Sequence, residues 1–301
     1  MAGTAEAGDK FGSAVAGSAD HLVVGVPGEG VVPYTSGPNG AEVVSGQVDV
    51  LGHELNSSGV PTYRVSINQA DPRISGEAEA GDQFGAAVSA AAARTTRGWV
   101  PYRGSYIAIG VPGEDITYAG ASKADAGRVV VVNVLLGVGI DEVNSGYDQA
   151  PDDIVGAPEA GDRMGAQVAV VNRAPETNST ASSLVMAVGV PGEDIGTVVD
   201  AGAVSVFGLI GAPGDNDRWI EAGNGSGMPG TPGTSQKTGT SLHGTQTSLY
   251  IGMPYGPGAY GSLYAMQWTN VTGGTVQPVT TYAPGTGGLP AAGLRFGMTA
   301  R

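Results

Sequence analysis

The chain has 301 residues, 41% of them hydrophobic, with 52 glycines, 19 prolines and no cysteine, and its net charge is −14. That charge repels phosphate backbones and anionic lipid, so no nucleic acid partner is expected. The missing thiols exclude disulfides and thiolate metal sites. No apolar run approaches the ~20 residues of a membrane span, so no membrane insertion is expected. Hydrophobic residues gathered in short runs between Gly/Pro turns predict an all-β chain of the sandwich, barrel or propeller kind.

In chain order, EAGDKFG at Glu6–Gly12 comes first, with no basic or apolar leader before it. HLVVGV (His21–Val26) predicts a strand, ended by Pro27, which has no N–H to give a ladder. GQVDVLG (Gly46–Gly52) and PTYRVSIN (Pro61–Asn68) predict two more. EAGDQFG then returns at Glu79–Gly85, followed by SYIAIGV (Ser105–Val111) with Pro112, and by AGRVVVVNV (Ala126–Val134). No fourth strand stands out in this second copy. EAGDRMG at Glu159–Gly165 opens a third, with SLVMAVGV (Ser183–Val190) and Pro191, AGAVSVFGL (Ala201–Leu209) and RWIEA (Arg218–Ala222).

A glycine-rich connector, Gly223–Gly239, is predicted to be the most flexible stretch. The fourth copy is degenerate: TSLHG (Thr240–Gly244) stands in for D-x-F-G, with His243 in the aromatic place. YIGMPYG (Tyr250–Gly256, with Pro254), GSLYAMQW (Gly261–Trp268) and TVQPVTTY (Thr275–Tyr282) follow. A fifth copy begins at GLRFGMTAR, with Phe296 and Gly297 in register.

Self-similarity at a fixed spacing predicts a single repeat domain over 1–301. Its units fall near 6–78, 79–158, 159–235 and 236–288, with the start of another at 289–301. Each unit reads as about four strands. Phe11, Phe84 and Met164 are the apolar anchors, Gly12, Gly85 and Gly165 let backbone pass closely, and Asp9, Asp82 and Asp162 close turns through local amides. Inserts between fixed landmarks differ in length from copy to copy, as surface loops do.

These residues resemble the FG-GAP repeat, the blade of the integrin α-subunit propeller. The FG step is Phe11-Gly12, Phe84-Gly85, Met164-Gly165 and Phe296-Gly297. The GAP-like turn is Gly25-Val26-Pro27, Gly110-Val111-Pro112, Gly189-Val190-Pro191 and Gly252-Met253-Pro254. The PGED…DAG style is similar to secreted actinobacterial members. The resemblance implies four-stranded blades in a ring, commonly of seven, with adhesive or ligand-binding roles at a cell surface or outside the cell. The chain accounts for four blades and the first strand of a fifth, which reads as part of a larger propeller whose further blades it needs. The calcium loops of many relatives, D-x-D-x-D-G between the first two strands, are missing from these inserts, so calcium is not carried over and no cofactor is expected.

Candidate chemistry is thin. Glu114-Asp115 with Asp125, and Glu193-Asp194 with Asp200, suit either a weak cation site or solvated turn acids bonded to amides. Asp215-Asn216-Asp217 is a scrap of a calcium loop without its glycine and distal acid. Trp99, Tyr102, Tyr106 and Tyr118 suit a sugar or protein contact patch, or partial burial between blades. The three histidines, His21, His53 and His243, share no metal-ligand spacing. There is no G-x-S-x-G elbow, P-loop or dinucleotide fingerprint. The first expectation is therefore a non-catalytic recognition scaffold for protein or glycan. A secreted hydrolase or lyase, and a calcium-stabilised structural module, are the alternatives.

Overall fold

The computed structural model describes residues 5–37, 39–74, 76–97, 99–150, 154–211, 217–291 and 293–300. The β-branched runs form strands, and every strand pairs antiparallel with its neighbours. In the first repeat these are β1 (Ala14–Gly17), β2 (His21–Val26), β3 (Gly30–Val31), β4 (Val43–Val44), β5 (Gln47–Leu55) and β6 (Pro61–Ile67). The second holds β7 (Ala87–Arg97), β8 (Val100–Val111), β9 (Ile116–Tyr118), β10 (Ala121–Lys123), β11 (Arg128–Leu135) and β12 (Gly139–Tyr147). The third holds β13 (Gln167–Asn172), β14 (Leu184–Val190), β15 (Ala203–Gly208) and β16 (Arg218–Ile220). The fourth holds β17 (Ser241–Gly244), β18 (Ser248–Met253), β19 (Ser262–Gln267) and β20 (Thr280–Tyr282).

Four four-stranded meanders result: β1-β2-β5-β6, β7-β8-β11-β12, β13-β14-β15-β16 and β17-β18-β19-β20. The hairpins β3–β4 and β9–β10 decorate the second connection of the first two sheets. First strands of successive sheets lie side by side, β1 by β7, β7 by β13 and β13 by β17. The strand missing from the sequence reading of the second repeat is β12. Its run GIDEVNSGY lacks β-branched density, and its pairing with β11 shifts register twice.

Three apolar layers fill the gaps between the four sheets. Alternation along β11 shows how: Val130 and Val132 join Val23, Val48 and Val50 of the first sheet, while Val129 and Val131 join Met186 and Val188 of the third. The last layer joins Val204 and Val206 to Ile251 and Met266.

The recurring FG step is the join between sheets. At each join the anchor residue donates its amide N–H back to the preceding repeat: Phe84 to Ser45 O (2.7 Å), Met164 to Ala126 O (2.9 Å), Thr238 to Ala201 O (3.0 Å) and Phe296 to Tyr260 O (2.6 Å). The glycine after the anchor donates forward, Gly85 to Gly110 O, Gly165 to Gly189 O and Gly239 to Gly252 O, each at 3.0 Å. Its own carbonyl then presses on a glycine of the sheet behind. A Cβ on Gly25, Gly110, Gly189 or Gly252 would lie well inside 3.0 Å of the oxygen of Gly85, Gly165, Gly239 or Gly297. The residue before each anchor is left-handed: Lys10, Gln83, Arg163, Lys237 and Arg295, at φ between 53° and 59°.

This geometry corrects the fourth repeat. Its anchor is Thr238, 1% exposed, followed by Gly239, and His243 lies further on, in β17. The sequence misled because a threonine replaces the aromatic, hiding the step that Lys237 and Gly239 still make. The connector before it is also tied down. Met228 is buried in the last apolar layer, and Asn270 Nδ2 holds both Ser226 O and Gln277 O at 2.9 Å.

The joins make a sharp prediction about glycine. Gly110→Ala drives a methyl into the Gly165 carbonyl, backbone that cannot step aside, and should cost about 3 kcal/mol. Gly17→Ala meets only Leu22 Cδ2 at 3.7 Å and should be near neutral. Urea titration of both variants checks this; equal midpoints would count against the join as drawn.

Candidate functional site

The acidic candidates divide into two kinds. Asp115 and Asp194 tie turns: Asp115 Oδ1 accepts the Asp125 N–H (3.0 Å), and Asp194 Oδ1 accepts the Asp200 N–H (2.8 Å). Asp125 and Asp200 are left-handed, at φ 52° and 53°, and the bond holds each there. Lys237 pairs with Asp200 at 3.6 Å.

Glu114 and Glu193 point the other way, into the joins. Glu114 is 5% exposed, and its Oε2 accepts from Gln69 Nε2 (2.7 Å). Its Oε1 accepts from Arg128 at 3.3 Å, and Arg128 also grips Asp148 at 2.9 Å. Glu193 is 6% exposed and accepts from Gln149 Nε2 (2.8 Å). Beside each lies the buried aspartate of the repeat, Asp82 or Asp162, which accepts the backbone N–H of Glu79 (2.7 Å) or Glu159 (2.6 Å). Asp9 does the same with Glu6 (2.6 Å) in the first repeat.

Burial therefore leaves two carboxyls together at each of two joins. It pushes Asp82, Glu114 and Asp162 up to about 7 and Glu193 up to about 8. Arg128 opposes the rise at Glu114. The neighbouring aspartate adds to it at both glutamates. Asp162 Oδ1 and Gln149 Oε1 are buried without hydrogen-bond partners. Among the described residues no three His, Asp or Glu side chains converge as a metal cage. The two glutamines escaped sequence reasoning. Their only trace is a shared Gln-Ala after the fourth strand, at Gln69-Ala70 and Gln149-Ala150.

The four aromatics do not meet. Strand β8 runs 12 residues, about 36 Å at ~3.3 Å per residue. Trp99 stands before its start, Tyr102 and Tyr106 on it, and Tyr118 beyond its far end in β9. Tyr106 is buried, 6% exposed, in the layer facing the third sheet, whereas Trp99 is 100% exposed.

What the sequence did not announce is the ribbon that carries Trp99. Strand β11 pairs with β8 only from Gly104 to Val111, while β7 pairs with β8 from Ala87 out to Arg97. Residues 94–97 and 99–103 therefore leave the sheet as the two sides of a ribbon. Its root is fixed on both sides. Arg103 pairs with Asp20 of the first repeat (3.0 Å). Arg94 pairs with Glu176 of the third (2.8 Å), and its carbonyl accepts the Ser179 N–H (2.8 Å).

The four first strands line an open cavity of about 770 Å³, bounded by Gly12–Gly17, Ala86–Ala90, Gln167–Val170, Leu242–Gly244 and Ala300. His243 is the one ionisable side chain among these lining residues. A serine–histidine contact does exist elsewhere. His21 Nδ1 meets Ser105 Oγ at 2.8 Å, and Ser105 meets Ser18 Oγ at 2.6 Å. Both His21 and Ser105 are enclosed, 1% and 0% exposed, and burial holds the imidazole below its ordinary value. The contact bonds the first sheet to the second. His53 is exposed, and Asp215 and Asn216 lie outside the described residues.

The remaining anchors sit in the joins. Pro27, Pro112, Pro191 and Pro254 are buried where their strands end, and Phe84 and Met164 are fully enclosed. Phe296 is half-buried against the fourth sheet, while Phe11, with no described sheet before it, is 53% exposed. Among the described residues no helix is long and apolar enough to cross a membrane. Among the described residues the chain is all-β, with four four-stranded antiparallel sheets and two small hairpins, and neither the protein-family models nor the curated proteins searched match it.

Proposed function

We propose that this chain is a recognition scaffold of the FG-GAP, integrin α-like propeller type, secreted or displayed at a cell surface. Its binding element is the ribbon of residues 94–97 and 99–103. The observation that carries this reading is the ribbon itself: a rigidly rooted hairpin that overshoots its sheet and holds a wholly exposed tryptophan at its tip. Large exposed aromatics often anchor interfaces. Side-by-side first strands around a shared cavity support the propeller arrangement. The hydrolase or lyase alternative asks for convergent ionisable groups in that cavity, and its lining offers His243 alone.

The test is binding of the whole chain to a glycan array and to immobilised cell-surface protein, beside Trp99→Ala. Retention that falls about tenfold in the variant is expected, the effect of losing one aromatic anchor. Retention unchanged by the substitution would move the binding element elsewhere.

The calcium-stabilised module has one observation in its favour, the buried carboxyls at the joins, which need either a proton or a cation. Melting with and without calcium separates the two.

A further inference from the structure

Deepening the calcium-stabilised reading, we infer that the join closed by Asp162 and Glu193 holds one hard divalent cation of the calcium class, whereas the join of Asp82 and Glu114 carries its own positive charge in Arg128.

The two joins are copies that differ at one telling place. Gly127 and Gly202 donate their N–H groups to Glu114 O and Glu193 O, each at 3.0 Å. Gln69 donates to Glu114 at 2.7 Å, and Gln149 to Glu193 at 2.8 Å. The residue after each glycine keeps the same register, Arg128 opposite Val111 and Ala203 opposite Val190. There the copies part. Arg128 reaches Glu114 at 3.3 Å and Asp148 at 2.9 Å. Ala203, fully enclosed, brings only a methyl group to the same place. Asp162 and Glu193, 0% and 6% exposed, are thus buried without the arginine that serves the other pair. Glu159 and Asp194 add negative charge beside them, and Lys123 acts on Asp162 more weakly than either acid.

The second join also keeps oxygens that nothing satisfies. Asp162 Oδ1 and Gln149 Oε1 are buried without a hydrogen bond, and Gln149 is fixed against Glu193 by its own Nε2. In the first join Gln69 Oε1 is likewise unpartnered, but Asp82 is held by Gln69 itself. Buried carboxylates are paired or bound to metal. An arginine answers that need in one copy, and an ion answers it in the other.

The donors select the ion. All are oxygens, which suits hard cations over zinc or copper. Two carboxylates are balanced by a divalent ion and only half balanced by sodium. An enclosed site favours calcium, which accepts irregular oxygen shells, over magnesium, which keeps several waters. So few protein ligands place the affinity in the Kd range of ~0.1–1 mM typical of extracellular calcium modules.

The experiment is calorimetry of the whole chain at pH 8 in chelator, in calcium at about 10 mM, and in magnesium or sodium chloride of matched ionic strength. Glu193→Gln and Glu114→Gln run in parallel, each read against its own midpoint in chelator. Calcium is expected to raise the midpoint by roughly 3–6 °C, the effect of a ligand at ~10–100 times its Kd. The shift should vanish in Glu193→Gln and persist in Glu114→Gln. A calcium shift that survives Glu193→Gln, or that both substitutions abolish, would overturn the inference while leaving a calcium-stabilised module with its site elsewhere. Equal shifts from magnesium, sodium and calcium would mark ionic strength rather than a site. That result, or no shift at all, would end both the inference and the calcium-stabilised reading. None of these outcomes touches the binding role of the ribbon.

Discussion

At pH 5 the protein should melt roughly 5–10 °C above its midpoint at pH 8, the reverse of a protein held together by surface ion pairs. The cause lies at two joins. Asp82, Glu114, Asp162 and Glu193 are raised to between about 7 and about 8 by burial, from ordinary values of 3.8 and 4.5. A carboxyl raised in the folded state keeps its proton where the unfolded chain has already released it. Its contribution is complete below the ordinary values and is lost as pH rises through 7 to 8. One such group contributes about 2 kcal/mol at pH 5 relative to pH 8, and paired groups contribute less than their sum. Asp71, held low by Arg73, works the other way only as pH falls through its ordinary 3.8, outside this window, whereas His21, held below its ordinary 6.5 by burial, opposes the rise inside it and trims the difference.

Glu193→Gln isolates the effect. It removes one ionisation, so it should raise the midpoint at pH 8 by a few degrees and leave pH 5 nearly unchanged. Calorimetry across pH 4–9 reads both. A flat profile would mean that water or a cation reaches the joins. The cation is distinguished by adding calcium at pH 8: a midpoint restored to its pH 5 value, and lost again with chelator, would favour the calcium-stabilised module.

Much of this architecture is legible in the sequence, because the joins reuse the same few atoms. A glycine is required wherever the next repeat's carbonyl would meet a Cβ, so Gly25, Gly110, Gly189 and Gly252 recur with their prolines, and the strands they end can be read in order. The failures have the same origin. Thr238 makes the anchor's backbone bond without an aromatic ring, so a reading keyed to Phe-Gly slid on to His243. Strand β12 is held by ladder bonds that accept Gly, Asn and Ser, leaving no apolar alternation to notice. The buried roles of Glu114 and Glu193 were hidden for another reason. Adjacent carboxylates in PGED look alike in sequence, yet one ties an exposed turn and the other enters a join. Only the partner glutamine, supplied by the preceding repeat, tells them apart. The ribbon of residues 94–97 and 99–103 reads in the sequence as an insert, because strand content shows nothing about where a sheet's third strand stops pairing.

Phe84→Ala should cost about 4 kcal/mol, with a midpoint lower by roughly 8 °C, whereas Phe11→Ala should cost less than about 1 kcal/mol. The two residues hold the same place in the same seven-residue phrase, so propensity and local backbone cancel in the comparison. What differs is the neighbour. Phe84 is 0% exposed in the layer shared by Val23, Val48, Ile107 and Ile109, and its removal leaves a cavity that two twisted sheets cannot close. Phe11 is 53% exposed and has no such layer to leave. Sheets stacked only on their neighbours couple through these layers, so damage to one join loosens the sheets on either side from each other more than it unfolds either. The Phe84→Ala transition should accordingly broaden or split, with amides of β1, β2, β5 and β6 exchanging before those of β14 and β15 in hydrogen exchange. Equal losses from the two substitutions would place a covering surface over Phe11. A sharp single transition in Phe84→Ala would show the four sheets coupled by more than their shared layers.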